Sequence, residues 1–189
     1  NLAAKQELFS KLAESNPEAI LATNTSTIPV TRIAKDIPNP QRIIGVHFFN
    51  PAPLMKLVEI ISGVQTAPEI ALLVLDFIKS CGKEAISVKD APGFIVNRVA
   101  RQFYTESQKI VEEQLAEITN LDRLMESCGF KMGPFKLIDL IGVDANLNVT
   151  KSLFSLLHHE KFKPSKLQQQ LVDDGKLGRK SGEGFYKYS

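Results

Sequence analysis

A histidine and a glutamate in the segment IIGVHFFNPAPLMKLVEII, residues 43–61, have the clearest capacity for chemistry. The β-branched and aromatic residues at 43–49 predict a buried strand, and the prolines that follow predict a turn. A second apolar run, 57–61, predicts the next strand. A short connection between two strands can bring the carboxylate of Glu59 against the imidazole of His47. A carboxylate orients such a ring and stabilises its protonated form, so the pair predicts a general base.

The apolar neighbours of Glu59 support this interpretation, because a carboxylate among Val58 and Ile60 is costly to bury without a partner. The alternative is structural: His47 is a core histidine near a strand end, and Glu59 turns to solvent. The spacing alone leaves both interpretations open.

Size and composition set the broad class of the protein. A chain of 189 residues with 43% hydrophobic and 23% charged residues is typical of a globular protein with one large or two small domains. A net charge of +2 gives no argument for a nucleic-acid or anionic-membrane partner. No apolar run approaches the roughly 20 residues of a membrane span. Cys81 and Cys128 lack metal-ligand spacing, so we expect buried free thiols, as in a reducing compartment, and no metal site.

The first part of the chain alternates helical and strand patterns. Helices are predicted at 1–14, 30–35 and 66–81, and strands at 19–22, 43–49, 57–61 and 83–89, which indicates an α/β sheet of partly parallel strands. Thr66 and Glu69 have capping-box spacing at the start of the third helix. Its predicted buried stripe comprises Ile70, Leu73, Val74, Phe77, Ile78 and Cys81.

Small polar residues follow the first predicted strand, at 23–26. Open α/β sheets bind ligands at such strand exits. The alternative is a capping turn for the next short helix.

From about residue 90 the pattern is helical, with segments at 94–115, 121–128, 134–141, 144–157 and 165–174. We therefore place a domain boundary there, giving domains 1–90 and 91–189. Asp90 is predicted to cap the first of these helices. Asn97, near the start of that helix, either hydrogen-bonds to a ligand carbonyl or is solvated. The tail 177–189 is expected to form a flexible basic loop that contacts phosphate, or a plain solvated loop, and then an aromatic anchor.

Five segments in order resemble the 3-hydroxyacyl-CoA dehydrogenase family: NTSTIP at 24–29, GVHFFNP at 45–51, DAPGFIVNR at 90–98, GPFKLIDLIGVD at 133–144 and GRKSGEGFYKY at 178–188. The resemblance implies an α/β partial Rossmann-type sheet followed by an all-α helical domain. It also implies oxidation of an L-3-hydroxyacyl-CoA to the 3-ketoacyl-CoA with NAD, in fatty-acid β-oxidation or 3-hydroxybutyryl-CoA metabolism.

The resemblance also implies a role for seven residues. His47 matches the general base and Glu59 its carboxylate partner. Ser26 and Asn97 match residues that hold the substrate, with Ser26 also near the cofactor. Asn50 matches a residue that contacts both cofactor and substrate. Lys5 and Lys180 match contacts to the cofactor.

The sequence has no G-x-G-x-x-G turn of the kind that binds a dinucleotide. We therefore expect only the C-terminal portion of the family's enzyme: 1–90 as the end of the NAD-binding domain and 91–189 as a substrate and dimerisation domain. Such a fragment, without its N-terminal half, should have little activity alone. The expected partners are this missing half, a second copy of the chain and an acyl-CoA.

Two alternatives and the compartment remain open from the sequence. In the first alternative, the chain is a non-catalytic structural or dimerisation module that keeps the fold. In the second, it is part of a fusion with an enoyl-CoA hydratase. The resemblance is compatible with a bacterial or archaeal cytoplasm, which we favour, and with the mitochondrial matrix.

Overall fold

A computed structural model describes residues 2–188. The chain divides into two compact units. The first, here called the sheet unit, ends at Ile95, and the second, the helical unit, begins at Val96.

The described part of the sheet unit, residues 2–95, contains a four-stranded sheet in the order β1-β2-β3-β4. Its elements are α1 (Leu2–Ser15), β1 (Leu21–Thr23), α2 (Val30–Ala34), β2 (Ile43–Phe48), β3 (Leu57–Ser62), α3 (Pro68–Ser80) and β4 (Glu84–Lys89). β1 and β2 are parallel, β2 and β3 antiparallel, and β3 and β4 parallel. The predicted α/β sheet of partly parallel strands is therefore confirmed.

Both faces of the central strands are covered, which explains their continuous apolar composition. On one face Ile43 and Ile61 pack with Phe9 of α1 and Ile33 of α2. On the other face, alternate residues of the same strands pack against α3: Ile44, Val46, Val58 and Ile60 meet Ile70, Val74 and Ile78. The strand pair that carries His47 and Glu59 is thus held from both sides.

The prediction of the buried face of α3 was partly wrong. Ile70, Val74 and Ile78 are buried, but Leu73 and Phe77 are 57% and 62% exposed. The sheet contacts one narrow row of side chains at i, i+4 spacing, so the wider stripe extends beyond it. Cys81 and Cys128 are free thiols, but both are exposed, so the prediction of buried thiols was also wrong.

The start of α3 also differs from the prediction. Ala67 is the N-cap, and no side chain caps the helix. The hydroxyl of Thr66 instead accepts from the backbone N–H of Gly63 at 2.9 Å and donates to the carbonyl of Ile43 at 2.6 Å. The capping box is therefore absent because Thr66 ties the preceding turn to β2.

Within residues 96–188, the helical unit contains five α-helices: α4 (Val96–Glu112), α5 (Ile118–Ser127), α6 (Pro134–Ile141), α7 (Val143–Leu157) and α8 (Lys166–Asp173). Its most deeply buried side chains include Phe135, Ile138, Val143, Leu147 and Leu153. The predicted all-α character is confirmed. Across residues 2–188, none of the helices is long and apolar enough to cross a membrane.

Asp90 was predicted to cap the helix that follows it, and this is wrong. Gly93 and Phe94 have φ angles of 74° and 52°, and this left-handed stretch separates Asp90 from α4. The carboxylate of Asp90 instead accepts from the backbone N–H groups of Val30 and Thr31 at 2.8 and 2.7 Å. It therefore caps α2, sixty residues earlier in the chain.

The aromatic tail is anchored as predicted, through two buried carboxylates. Asp139 accepts from the backbone N–H groups of Phe185 and Tyr186, both at 2.9 Å, and from the Tyr188 hydroxyl at 2.9 Å. The Tyr186 hydroxyl donates to Asp122 at 2.7 Å. The segment before it, predicted as a flexible loop, is instead fixed by β-bridges of Glu183 with residues 178 and 187.

Candidate active site

His47 and Glu59 lie directly opposite each other on the antiparallel strands β2 and β3. The ring Nδ1 of His47 is 2.7 Å from Oε2 of Glu59, and the two residues are 5% and 0% exposed. Residues opposite each other in such a ladder share one face, which is why the contact forms. The predicted contact is confirmed, and the alternative of a glutamate turned to solvent is wrong.

The second oxygen of Glu59 also has a hydrogen-bond donor. Its Oε1 accepts from the backbone N–H of Ile95 at 3.0 Å. An ionised carboxylate only accepts hydrogen bonds, so Nδ1 of His47 is assigned as the donor to Oε2. In the neutral ring, Nε2 then has the lone pair and is the atom that can accept a proton.

Aromatic rings surround the imidazole. The centroid of the His47 ring is 4.6 Å from that of Phe49 and 5.8 Å from that of Phe94. Phe94 is buried and has a φ of 52°, a left-handed conformation that is uncommon for a large side chain. With this backbone conformation, the ring of Phe94 packs on His47, and the next residue, Ile95, donates its backbone N–H to Glu59. The contacts of Phe94 and Ile95 with this pair were not predicted from the sequence, although the Gly93-Phe94 pair after a proline signals a turn.

The carboxyl ends of the parallel strands β1 and β2 carry polar side chains. The Asn24 side chain accepts from the backbone N–H of Phe48 at 2.9 Å, which links the two strand exits. Lys5 of α1 reaches the Thr23 hydroxyl at 3.4 Å. Ser26 lies half-buried in the same turn. The alternative of a local capping turn also holds in part, because the Thr25 hydroxyl accepts from the N–H of Ile28 at 3.1 Å.

These groups fit the polar end of a nicotinamide nucleotide. An ammonium, two hydroxyls and an amide at one strand edge can hydrogen-bond to ribose and carboxamide oxygens, and such edges bind nucleotides in open α/β sheets. An apolar groove of about 440 Å³ borders the same edge, lined in part by Thr23, Asn24 and Phe48. The sequence contains no G-x-G-x-x-G turn, so we assign no pyrophosphate cradle of that kind to these residues.

Asn50 is exposed and follows β2 by two residues, at the same end of the strand as His47. Asn50 begins a turn whose backbone carbonyls bind Lys83, a contact that was not predicted from the sequence. The ammonium of Lys83 donates to the carbonyls of Ala52, Pro53 and Met55 at 2.6, 3.2 and 3.0 Å.

Asn97 and Lys180 belong to the helical unit and have different partners there. The Asn97 amide oxygen faces Nη2 of Arg101 at 3.4 Å. The ammonium of Lys180 donates to Asp144 at 2.6 Å, and this hydrogen bond lowers the pKa of the Asp144 carboxyl. Among residues 2–188, no cluster of histidine, cysteine and acidic side chains could hold a metal ion.

Two family descriptions together match almost the whole chain. Residues 1–91 match "3-hydroxyacyl-CoA dehydrogenase, NAD binding domain", and residues 93–188 match "3-hydroxyacyl-CoA dehydrogenase, C-terminal domain".

Individual proteins with similar sequences and structures carry related names. The 3-hydroxyadipyl-CoA dehydrogenase of Escherichia coli is 48% identical over 190 residues, which span 99% of this chain and 40% of that protein. A probable 3-hydroxybutyryl-CoA dehydrogenase of Deinococcus radiodurans is 43% identical, and the match spans 100% of this chain and 68% of that protein. The crystal structure of an E. coli 3-hydroxybutyryl-CoA dehydrogenase superimposes with a TM-score of 0.95 at 47% identity, covering 100% of this chain and 40% of that one.

These matches correct one expectation. The chain was expected to represent only the C-terminal portion of the family's enzyme, and this is wrong, because residues 1–91 match the NAD-binding domain and 93–188 the C-terminal domain. The matches also give no support to the alternative of a non-catalytic structural or dimerisation module.

Proposed function

Because this chain belongs to the 3-hydroxyacyl-CoA dehydrogenase family, we propose that it oxidises an L-3-hydroxyacyl-CoA to the corresponding 3-ketoacyl-CoA with NAD. The observation that carries this proposal is the buried pair of His47 and Glu59, joined at 2.7 Å with the second carboxylate oxygen bound to Ile95. A core that needed only packing would not retain an imidazole and a carboxylate at this position.

The proposed proton path runs through His47. As the alcohol carbon becomes a carbonyl, Nε2 takes the proton of the 3-hydroxyl group, and Glu59 stabilises the imidazolium that forms. NAD, when bound, supplies the acceptor for the hydride that leaves the same carbon. In the reverse direction, protonated His47 returns the proton to the oxygen. Phe49 and Phe94 cover the ring and limit the access of water to it.

Five further residues have proposed contacts that rest on the family resemblance. Ser26 hydrogen-bonds to the substrate near the cofactor, and Asn97 holds its carbonyl region. Asn50 contacts both cofactor and substrate, and Lys5 and Lys180 contact the cofactor. The contact of Lys5 with Thr23 at the β1 exit supports the first of these lysine roles.

The substrate class and the cellular setting are proposed from the relatives. The names 3-hydroxyadipyl-CoA dehydrogenase and probable 3-hydroxybutyryl-CoA dehydrogenase give two candidate acyl groups, one of which ends in a carboxylate. A role in fatty-acid metabolism follows from such substrates. We favour a cytoplasmic setting, since bacterial relatives are 43% to 48% identical and those named mitochondrial 39% to 40%.

The oxidation is tested by replacing the proposed base. We expect His47→Gln to lower kcat by about 10³-fold or more and to change KM by less than about threefold, because a general base acts mainly in the transition state. Turnover is measured with acetoacetyl-CoA and NADH by the loss of NADH absorbance. His158→Asn is the control, since His158 is exposed and has a φ of 49° that asparagine tolerates. Unchanged kinetics in His47→Gln contradict the proposal.

The proposed partner is a second copy of the chain, bound through the helical unit. The family resemblance implies such a dimer, and large apolar side chains are exposed on this unit: Val99, Leu115, Leu124, Phe130 and Leu140. Sedimentation should show a dimer in the micromolar range, and Leu124→Glu should shift it toward monomer. A wild-type monomer at all concentrations contradicts this assembly.

A further inference from the structure

Arg101 is a buried cation in the helical unit with no acidic partner among the described residues. It lies on α4 and is 3% exposed. Its Nη1 donates to the carbonyl and amide oxygens of Asn146 at 3.1 and 3.0 Å and to the Thr150 hydroxyl at 3.1 Å. Burying a charge without an opposite charge is unfavourable, and arginine is among the residues least often buried unpaired.

The other edge of the guanidinium is scarcely used. Among residues 2–188, Nε has no hydrogen-bond partner, and Nη2 has one weak contact, with Asn97 at 3.4 Å. Nε and Nη2 lie on the same edge and present parallel N–H groups. This fork matches the two oxygens of a carboxylate.

The structural role of Arg101 uses only one of its three nitrogens, Nη1. Contacts to Asn146 and Thr150 tie α4 to α7, and the guanidinium also lies 5.1 Å from the ring centroid of Tyr104. A neutral side chain could make such contacts without the cost of burying a cation. Burial lowers the pKa of Arg101 to about 10, so the group is still charged at neutral pH. These contacts explain neither the buried positive charge of Arg101 nor the position of its Nε group.

The position of Asn97 indicates which ligand could reach this edge of the guanidinium. It precedes Arg101 by four residues on α4, so both side chains lie on one face, about 6 Å apart along the axis. Under the proposed function, on which this step rests, Asn97 holds the carbonyl region of the acyl group. An acyl chain that extends from there along α4 brings its far end to Arg101.

We infer that Arg101 determines substrate specificity by binding a carboxylate at the far end of the acyl chain, through its Nε and Nη2 groups. The preferred substrates are then 3-hydroxydicarboxylyl-CoA esters. A methyl group at that position would leave the guanidinium edge desolvated and unpaired.

Two ligands of equal length test this inference. 3-Hydroxyadipyl-CoA and 3-hydroxyhexanoyl-CoA differ by a carboxylate in place of the terminal methyl. Calorimetry with purified protein, in the absence of NAD, should show about 10- to 100-fold tighter binding of the first, the range of a charged hydrogen-bonding pair. Arg101→Met should reduce the ratio of the two Kd values to near one. Arg123→Met, at an exposed arginine of α5, should leave the ratio unchanged.

Each outcome decides the inference. Equal binding of the two ligands by the wild-type protein overturns it, even where Arg101→Met does not fold. A variant that melts cooperatively but loses affinity for both ligands to the same degree indicates a purely structural role and also overturns it. Arg101→Lys, which keeps the charge but loses the fork, should retain part of the preference. Selective binding without oxidation on addition of NAD would instead contradict the proposed function alone.

Discussion

Single hydrogen bonds of Glu59 control what His47 can do. The backbone N–H of Ile95 donates to one oxygen of this carboxylate, Oε1, and Nδ1 of His47 donates to the other, Oε2. Because an ionised carboxylate only accepts hydrogen bonds, the proton of the neutral ring lies on Nδ1. Under the proposed function, the histidine supplies the basic atom, and the glutamate determines which of its two nitrogens is basic.

Glu59→Gln tests this arrangement. The amide oxygen will remain on the N–H of Ile95, so the NH₂ group will face Nδ1 of His47 and force it to accept. The proton of the neutral ring then moves mainly to Nε2, which can act as a base only in the minor population that keeps the proton on Nδ1. We expect kcat to fall by about 10²-fold, less than in His47→Gln, because the population with the correct tautomer is reduced rather than removed. Steady-state kinetics of the oxidation, with 3-hydroxybutyryl-CoA and NAD, measure this by the formation of NADH.

The tautomer itself provides a second readout of Glu59→Gln. Nitrogen NMR of the imidazole should place the proton of neutral His47 on Nδ1 in the wild type and on Nε2 in the variant. Full activity together with an unchanged tautomer would show that the glutamate does not position the proton.

At the scale of elements, carboxylates distant in sequence cap two helices. Asp90 accepts from the first N–H groups of α2, and Asp122 of α5 accepts from Phe135 and Lys136 at the start of α6. Exposed N–H groups at a helix start need acceptors, and a negative charge there is favourable. Long-range caps therefore fix the position of one element on another.

Asp90→Ala is expected to lower the free energy of unfolding by about 1–2 kcal/mol, because two N–H groups of α2 lose their acceptor and a capping charge is lost. Urea denaturation followed by circular dichroism measures it. Asp76→Ala, on the exposed side of α3, is the matched control and should change stability by less than about 0.5 kcal/mol. Equal effects of the two substitutions would contradict the capping role.

Sequence patterns were sufficient to find the elements but not their contacts. The apolar runs at β2 and β3 predict two strands, and α3 is found from its periodicity, because these signals are local. The exposure of Leu73 and Phe77 depends on how wide a row the sheet contacts. The role of Asp90 depends on a partner sixty residues away. Neither property is encoded in neighbouring residues.

For the whole molecule, the same distinction separates the proposed catalytic pair from the proposed specificity residue. His47 and Glu59 lie twelve residues apart on strands joined by one turn, so their contact follows from the sequence. The proposed role of Arg101 could not be predicted, because it depends on which side chains of another helix, α7, surround the guanidinium and on none of them being acidic. A buried charge that lacks an acidic partner can be recognised only from the three-dimensional positions of its neighbours.

The three tyrosines of the chain, Tyr104, Tyr186 and Tyr188, all lie in the helical unit and report on its integrity. Burial raises the pKa of Tyr104 and Tyr186, and a hydrogen bond to Asp122 raises that of Tyr186 further. Burial, with the hydrogen bond to Asp139, raises the pKa of Tyr188 to about 12. In each case the folded state favours the neutral phenol.

This difference between states makes stability depend on pH in the alkaline range. A pKa raised above the unfolded value of about 10 contributes stability that is complete below pH 10 and is lost as pH rises toward 12. The urea midpoint should therefore fall between about pH 9.5 and 11.5, while phenolate absorption of the native protein stays well below that of the unfolded chain. Tyr188→Phe should reduce this pH dependence. Native tyrosines that titrate together with the denatured ones near pH 10 would show that the carboxylates do not hold the tail in solution.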